Sequence, residues 1–412
     1  MTGFRKAVYA AAGYNTTYYG SGRKEFRPGK GMPPFESYRK ETAKGTLQQI
    51  NDPGALDEGV IGNFMAPRFL KQGNLPGFLP YMVSSLTGKP CTAVEGACGS
   101  GGRAIYTAIK SVVADMADAV FVAGFEVQNT MKAVYGADVL AGAAYYRGER
   151  KNGHAYFFPG IFADRAGAYY DKYDKTITRQ AMARWYEQSI ENARKNPKAQ
   201  EYHNQTERLY ELGLTEPCSK KFVPHLNLFD CSKVSDGASS LIIASEEGLK
   251  KLGVNKVDAI EIIAAGGAEG DITQPPADMT VLDITATAVE HALEQACIDI
   301  DALGLLEIHD CFSITALLAI EACRLAQPGK AAQYILDGHT RCDSTLPTNP
   351  SGGLGGFGHP TGATGVRQLV DLWSQYTGCA DNPIEPSKPH GMMISMGGND
   401  KTVTALITKA VE

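Results

Sequence analysis

Several features are missing from this sequence, and each absence narrows the field. No apolar run approaches the ~18 residues that a membrane-spanning helix needs. Nine cysteines, an odd number in 412 residues, contain no C-x-x-C pair, which suits neither a disulfide scaffold nor a zinc cage. Neither charge dominates: 40 Lys plus Arg against 45 Asp plus Glu leave a formal net charge of -5. Nonspecific nucleic-acid binding needs a concentrated basic surface, so no nucleic acid is expected as a partner. Walker, EF-hand, H-E-x-x-H and G-x-S-x-G motifs do not occur. His154, His203, His225, His291, His339 and His390 lack ligand-like spacing, and no catalytic metal is expected. The expectation is a cytoplasmic protein with no membrane partner.

With 43% hydrophobic residues the chain can bury a sizeable core. Its length suggests two or three structural units at roughly 150 residues each. Met1 to Tyr14, with Arg5 and Lys6 ahead of Ala7-Val-Tyr-Ala-Ala-Ala-Gly13, reads as a first β-strand rather than as a signal segment. The first 75 residues are otherwise rich in Gly, Pro and Tyr, and Gly20 to Lys30 matches no motif.

Periodicity becomes clear near residue 91. Cys91 to Glu95 is a short strand, Gly96 to Gly102 a tight turn, and then a helix begins. Ala104, Ile105, Ala108, Ile109, Val112, Val113 and Met116 recur at helical spacing. Ala119 to Ala123 follows as a buried strand. This strand–helix–strand unit is the signature of a mainly parallel α/β sheet. Residues 145 to 225 are dominated by Tyr, Arg, Lys, Asn and Glu and read as a mostly helical excursion, with a helix over Thr178 to Arg194. Strands return at Gly237 to Ala244 and Ala259 to Ala264. Leu305 to Ile308 then hands over to a helix carrying Ile314, Leu317, Leu318, Ile320 and Leu325. A helix from about Ala363 to Tyr376 and a strand over Thr402 to Thr408 close the pattern. Each half thus places a cysteine where a strand meets a helix, which raises a pseudo-symmetry between Cys98 and Cys311.

Cys98 is the first chemical candidate. A thiol at a helix N-terminus meets the positive end of the macrodipole, which favours the thiolate. Lowering a thiol from pKa ≈ 8.5 to 7 is worth about 2 kcal/mol. The surrounding glycines would let a substrate carbonyl approach the backbone. Local sequence alone leaves a nucleophile and a buried structural cysteine equally open. His309 and Cys311, together in His-Asp-Cys-Phe, are open in the same way, with Asp310 expected to point elsewhere. The third candidate lies in the glycine-rich stretch Asn349 to Gly365. Gly353 to Gly358 matches G-x-G-x-x-G, but it follows a Pro-rich loop instead of a strand, which argues against a dinucleotide site. The better reading is a closely packed loop that presents His359 as a base. Ser395-Met-Gly-Gly-Asn399 reads by itself as a simple tight turn.

Taken together, Gly96-Ala-Cys98-Gly-Ser-Gly-Gly102, His309-Asp-Cys311-Phe312 and Gly358-His359-Pro-x-Gly-Ala-Thr-Gly365 resemble the thiolase superfamily. The His-Asp-Cys-Phe box is similar to that of its sterol-carrier-protein-2-type and archaeal-type branch. Further likenesses are Ala193 to Pro197, Asp230 to Ala238 and Ile298 to Leu303. The resemblance implies a five-layer αβαβα sandwich of two related halves. Residues 1–130, completed by about 225–250, would form the N-terminal half, and 251–412 the C-terminal half. Residues 131–224 would be a loop domain that binds CoA or substrate.

The implied activity is thiolase-type acyl transfer on a 3-ketoacyl-CoA. Acetoacetyl-CoA is the default substrate, and a bulkier branched, aromatic or dicarboxylic chain is the alternative. Cys98 would carry the acyl group, His359 would accept the proton of that thiol, and Cys311 would be the general acid/base. His309 would hold the thioester oxygen, helped by His359. Backbone N–H groups of Cys98 and of Gly397 or Gly398 would form a second oxyanion hole. Coenzyme A would be co-substrate, with no tightly bound cofactor. The resemblance also implies a homodimer or homotetramer and a small zinc-ribbon/OB-fold partner protein. Ser395 and Met396 stand where many thiolases carry a catalytic Cys or a His. The competing readings are a ketoacyl-synthase-like condensing enzyme and a non-catalytic acyl-CoA or lipid carrier.

Overall fold

In the computed structural model, residues 3–26, 34–150 and 154–411 are described. Of the unmatched stretch from Gly20 to Lys30, residues 27–30 lie outside them. Among the described residues, nine strands form one mixed sheet: β1 (Val8–Asn15), β2 (Glu58–Gly62), β3 (Cys91–Val94), β4 (Ala119–Glu126), β5 (Gly237–Ala244), β6 (Ala259–Glu269), β7 (Leu303–Glu307), β8 (His390–Gly397) and β9 (Thr402–Ala410). The order across the sheet is β3-β2-β4-β5-β1-β6-β9-β8-β7. Long helices connect them: α1 (Phe35–Leu47), α2 (Ser100–Val113), α3 (Phe157–Lys172), α4 (Lys175–Ala193), α5 (Asp283–Ala296), α6 (Ser313–Ala322) and α7 (Thr361–Tyr376).

Alternation along the strands builds the layers. Val120 and Val122 of β4 and Ile260 and Ile262 of β6 point into one core, and so does Leu406 of β9. That core is filled by Ala104, Ile105, Ala108 and Ile109 of α2 and by Val366, Leu369 and Trp373 of α7. Residues of opposite parity on β4, Phe121, Ala123 and Phe125, face α1 in a second core. Ala405 and Ile407 of β9 face α5 and α6 in a third. Both ends of the sheet therefore pack on the same two central helices, which gives the five-layer αβαβα sandwich of two related halves.

Strand order makes the relation between the halves explicit. In each half the first strand lies at the seam (β1 or β6), followed by the last (β5 or β9), then β4 or β8, then β2 or β7. Helix α2 immediately precedes β4, and α7 is the last long helix before β8. The counterpart of the Cys98 turn is thus the His359 turn at the head of α7. The suggested pairing of Cys98 with Cys311 is corrected by this topology: the loop after β7, which carries Cys311, matches the loop after β2, at Asn63.

Smaller corrections concern ends. Helix α2 begins at Ser100, inside the expected turn, and stops at Val113, which leaves Met116 79% exposed beyond it. Helix α6 stops at Ala322, so Leu325 lies past its end.

The heads of α2 and α7 touch backbone to backbone. A Cβ on Gly101 would lie 2.8 Å from the amide nitrogens of Gly365 and Val366, and one on Gly365 would collide with the Gly102 nitrogen. Backbone atoms cannot swing aside as a long side chain can. Gly365→Ala is therefore expected to lower stability by about 3 kcal/mol or more in urea denaturation. Gly73→Ala, where a Cβ would meet nothing within 4 Å, is expected to change it by less than about 0.5 kcal/mol.

Candidate active site

A cavity of about 150 Å³ opens where the heads of α2 and α7 meet the loop after β7. Cys98, His309, Cys311, His359 and Gly398 all line it, so four side chains from three distant stretches of sequence converge. The Cys98 sulfur and one ring nitrogen each of His309 and His359 lie within 4.8 Å of one another. The two imidazoles stand edge to face, with ring centroids 5.1 Å apart at 83°.

Each candidate is held by local geometry. Cys98 sits in the short turn Ala97–Gly99, ahead of α2, and Ala97 adopts a left-handed φ of 52°. That unfavourable conformation for an L-residue turns the chain sharply, and the Ser100 hydroxyl braces it by accepting from Gly96 N and donating to Ala97 O. His359 is fixed through its backbone, its N–H donating to Ser235 Oγ and its carbonyl accepting from Gln128 Nε2. The loop carrying His309 and Cys311 is pinned by Asn349, whose side chain accepts from Ile308 N and donates to Ile308 O. Asp310 does point away from the thiols: its carboxylate accepts from Trp185 Nε1 at 3.0 Å and from Leu354 N at 2.8 Å.

Hydrogen bonds assign the imidazole tautomers. The Thr364 hydroxyl donates to Pro360 O, so at 2.7 Å it accepts the proton of His359 Nδ1. The lone pair of His359 is then on Nε2, which is buried and has no protein partner. At His309 the Met396 backbone N–H donates to Nδ1 at 3.4 Å, which puts the ring proton on Nε2, also buried and free. One ring thus offers an acceptor and the other a donor. The spacing of Cys98, His309 and His359 resembles a metal cluster, but a protonated Nε2 on His309 presents no lone pair to a cation.

Electrostatics reverses one expectation. Burial pushes the Cys98 thiol up to about 12, the buried charge of Glu126 adds to this, and the Gly398 N–H opposes it. Desolvation and the nearby carboxylate oppose the lowering expected from the helix N-terminus. Burial raises Cys311 well above the usual thiol range as well, with Cys98 adding to the effect and the Thr315 hydroxyl opposing it. Burial and the nearby Arg367 guanidinium bring His359 down to about 3. Burial, His359 and Arg367 hold His309 far below the imidazole range. At neutral pH the resting site is two thiols and two neutral imidazoles.

Sequence reading missed Glu126, Thr361 and Thr364. Glu126, fully buried at the end of β4, accepts from Asn63 Nδ2, Phe64 N, Met65 N and Thr361 Oγ1. It ties the loop after β2 to the head of α7, and burial raises its carboxyl to about 7. Nothing local marks Glu126 among strand residues, whereas Thr364 lies inside the His359 box itself.

A thiol beside an imidazole acceptor, with a second thiol and an imidazole donor across the cavity, can take an acyl group onto sulfur and pass it to another nucleophile. The class of protein this defines is an acyltransferase. The chain belongs to the thiolase family: residues 39–206 match the thiolase N-terminal domain and residues 268–410 the thiolase C-terminal domain-like family. It is 32% identical over 378 residues to an acetyl-CoA acetyltransferase of Methanothermobacter thermautotrophicus, covering 90% of this chain and 94% of that one. It is 28% identical over 367 residues to the benzoylsuccinyl-CoA thiolase subunit BbsB of Thauera aromatica, covering 83% and 91%. Among solved structures, one titled Ltp2-ChsH2(DUF35) aldolase shares the fold with a TM-score of 0.77 at 19% identity over 98% of both chains.

A resting thiol has a measurable signature. Alkylation of the Cys98 peptide by iodoacetamide is expected to accelerate about tenfold per pH unit from pH 7 to 10. A plateau beginning near pH 7 would instead reveal a thiolate already present at rest.

Proposed function

We propose that this acyltransferase catalyses CoA-dependent cleavage of a 3-ketoacyl-CoA, or the reverse condensation, through an acyl group on Cys98. The observation that carries the reading is the convergence of Cys98 with His309 and His359 within 4.8 Å, in a cavity that Cys311 also lines.

The residues divide the work as follows. His359 Nε2 takes the Cys98 proton as the sulfur attacks the 3-keto carbon; ion pair and neutral pair carry the same net charge, so the transfer adds none to the buried site. The tetrahedral oxyanion is met by the N–H groups of Cys98 and of Gly397 or Gly398. When the C2–C3 bond breaks, its electrons move into the enolate of the departing acetyl-CoA. The His309 Nε2–H stabilises that oxygen, and the Cys311 thiol delivers the proton to carbon. CoA then enters, gives its thiol proton to Cys311 and attacks the Cys98 thioester. Cys98 leaves as thiolate and recovers its proton from His359. CoA is co-substrate in this scheme, and it requires no resident cofactor.

The second thiol favours this reading over a ketoacyl-synthase-like enzyme, whose chemistry does not use one, and an intact nucleophile–base pair speaks against a non-catalytic carrier. We extend the proposal to assembly. One relative is itself named a subunit, which supports a small partner protein. The outer edge of β3 has no strand beside it among the described residues, which supports a homo-oligomer. Residues 131–224 are proposed as the segment that receives CoA and substrate, since Ala133, Leu140, Tyr156 and Phe162 from it line the cavity.

Thiolysis of 3-ketoacyl-CoA should follow ping-pong kinetics. Cys98→Ala is expected to lower kcat by at least about 10³-fold, and Cys311→Ala to cripple turnover while leaving Cys98 open to acylation by an acyl-CoA. Full activity of Cys311→Ala would favour the synthase reading. Absence of both turnover and acylation in the native enzyme would favour the carrier.

A further inference from the structure

The cavity wall that faces Cys98 is mostly apolar. Phe64, Leu140, Phe158, Phe162 and Phe312 contribute to it. Three of these rings form a run: Phe158 and Phe162 have centroids 6.5 Å apart, and Phe162 stacks on Phe312 at 4.5 Å and 21°. Ala133, Ala137 and Leu140, spaced four and three residues apart on one short helix, present one face of it to the space. Two of those three positions are alanine, where any longer side chain would fill the cavity.

The polar groups of the wall are mostly engaged elsewhere. Gln128 Nε2 donates to the carbonyls of Ser235 and His359, and the Thr361 hydroxyl donates to Glu126. The Lys233 ammonium is paired with Glu201, and Ser232 adds only a neutral hydroxyl. The wall thus offers no unpaired cation, among the described residues, to meet a carboxylate at the end of an acyl chain. A charge brought into such a space without a partner is strongly disfavoured.

Size points the same way. A dry cavity of ~150 Å³ lined by Leu, Ile and Phe accommodates a benzene molecule, and the present cavity is about 150 Å³. An acetyl group on Cys98 would touch little of this apolar wall, whereas a ring-sized group would cover it.

Building on the thiolase reading above, we propose that the acyl group carried by Cys98 is uncharged and ring-sized. The substrates would be aromatic or branched 3-ketoacyl-CoA esters, in preference to acetoacetyl-CoA or a dicarboxylic ester. Phe64, Ala137, Leu140 and Phe158 would set that preference.

The test compares kcat/KM for thiolysis of 3-oxo-3-phenylpropanoyl-CoA, acetoacetyl-CoA and 3-oxoadipyl-CoA by the native enzyme and by Ala137→Phe. A preference of at least about tenfold for the phenyl ester over each of the others is expected, and Ala137→Phe should move the ratio toward acetoacetyl-CoA. A native preference for acetoacetyl-CoA or 3-oxoadipyl-CoA would overturn the pocket assignment and leave thiolase chemistry standing. In parallel, equimolar benzoyl-CoA and acetyl-CoA are offered to the enzyme and the Cys98 peptide is weighed. A dominant benzoyl adduct supports the assignment, and a dominant acetyl adduct overturns it even if all three esters resist turnover. No adduct and no turnover with any ester would overturn the thiolase reading itself.

Discussion

The site depends on one contact, the glycine-lined meeting of the heads of α2 and α7. Two helix N-termini from different halves approach until amide nitrogen faces Cα, with Gly101 and Gly102 on one side and Gly362 and Gly365 on the other. Each helix is preceded by a residue that bears chemistry, Cys98 or His359. The backbone contact therefore fixes the separation of the two residues whose side chains carry the sulfur and the imidazole, and the Thr364 bond to Nδ1 orients the ring. The rest of the sandwich serves to hold that contact. Strands from both halves press on the same two helices, and the buried Arg367 of α7 reaches Asp371 on its own helix and Glu307 at the end of β7.

Electrostatic neutrality at rest follows from the same burial. Charged sulfur or imidazolium is disfavoured that deep, so neither thiol is ionised and neither histidine is protonated. Glu126, held by four donors and with its carboxyl raised to about 7, reinforces the neutral state of Cys98 in its ionised form. Reactivity then has to be switched on by the arriving thioester, whose developing negative charge is what the free His309 Nε2–H and the backbone donors are placed to receive.

How much of this was legible in the sequence differed by element. Cys98 and His359 could be singled out because glycine and proline around them mark tight turns ahead of helices, and His309 and Cys311 because a histidine and a thiol stand together where a strand hands over to a helix; the cavity brings those four together. The central helices were readable from the spacing of Ile105, Ile109 and Val112 in α2. Strand β1 was harder, since Ala10, Ala11 and Ala12 replace the usual branched residues. Its small side chains fit a strand packed between two sheet halves, where a Cβ on Gly13 would strike the Trp373 ring. The pairing of the halves could not be read at all, because cysteine and histidine, not two cysteines, occupy the equivalent positions. Glu126 was invisible for a similar reason: its meaning lies in a loop about sixty residues earlier and a helix head 235 residues later.

The bond from Trp185 to Asp310 has a consequence in optics. The chain contains only two tryptophans. One, Trp373, lies in the central core and donates to the Asp258 carbonyl, remote from the chemistry. The other holds the carboxylate that separates His309 from Cys311, so its indole senses any shift of that loop. The enzyme thereby carries its own fluorophore at the second thiol, and its ultraviolet emission is a label-free channel through which events at the cavity can be watched in real time.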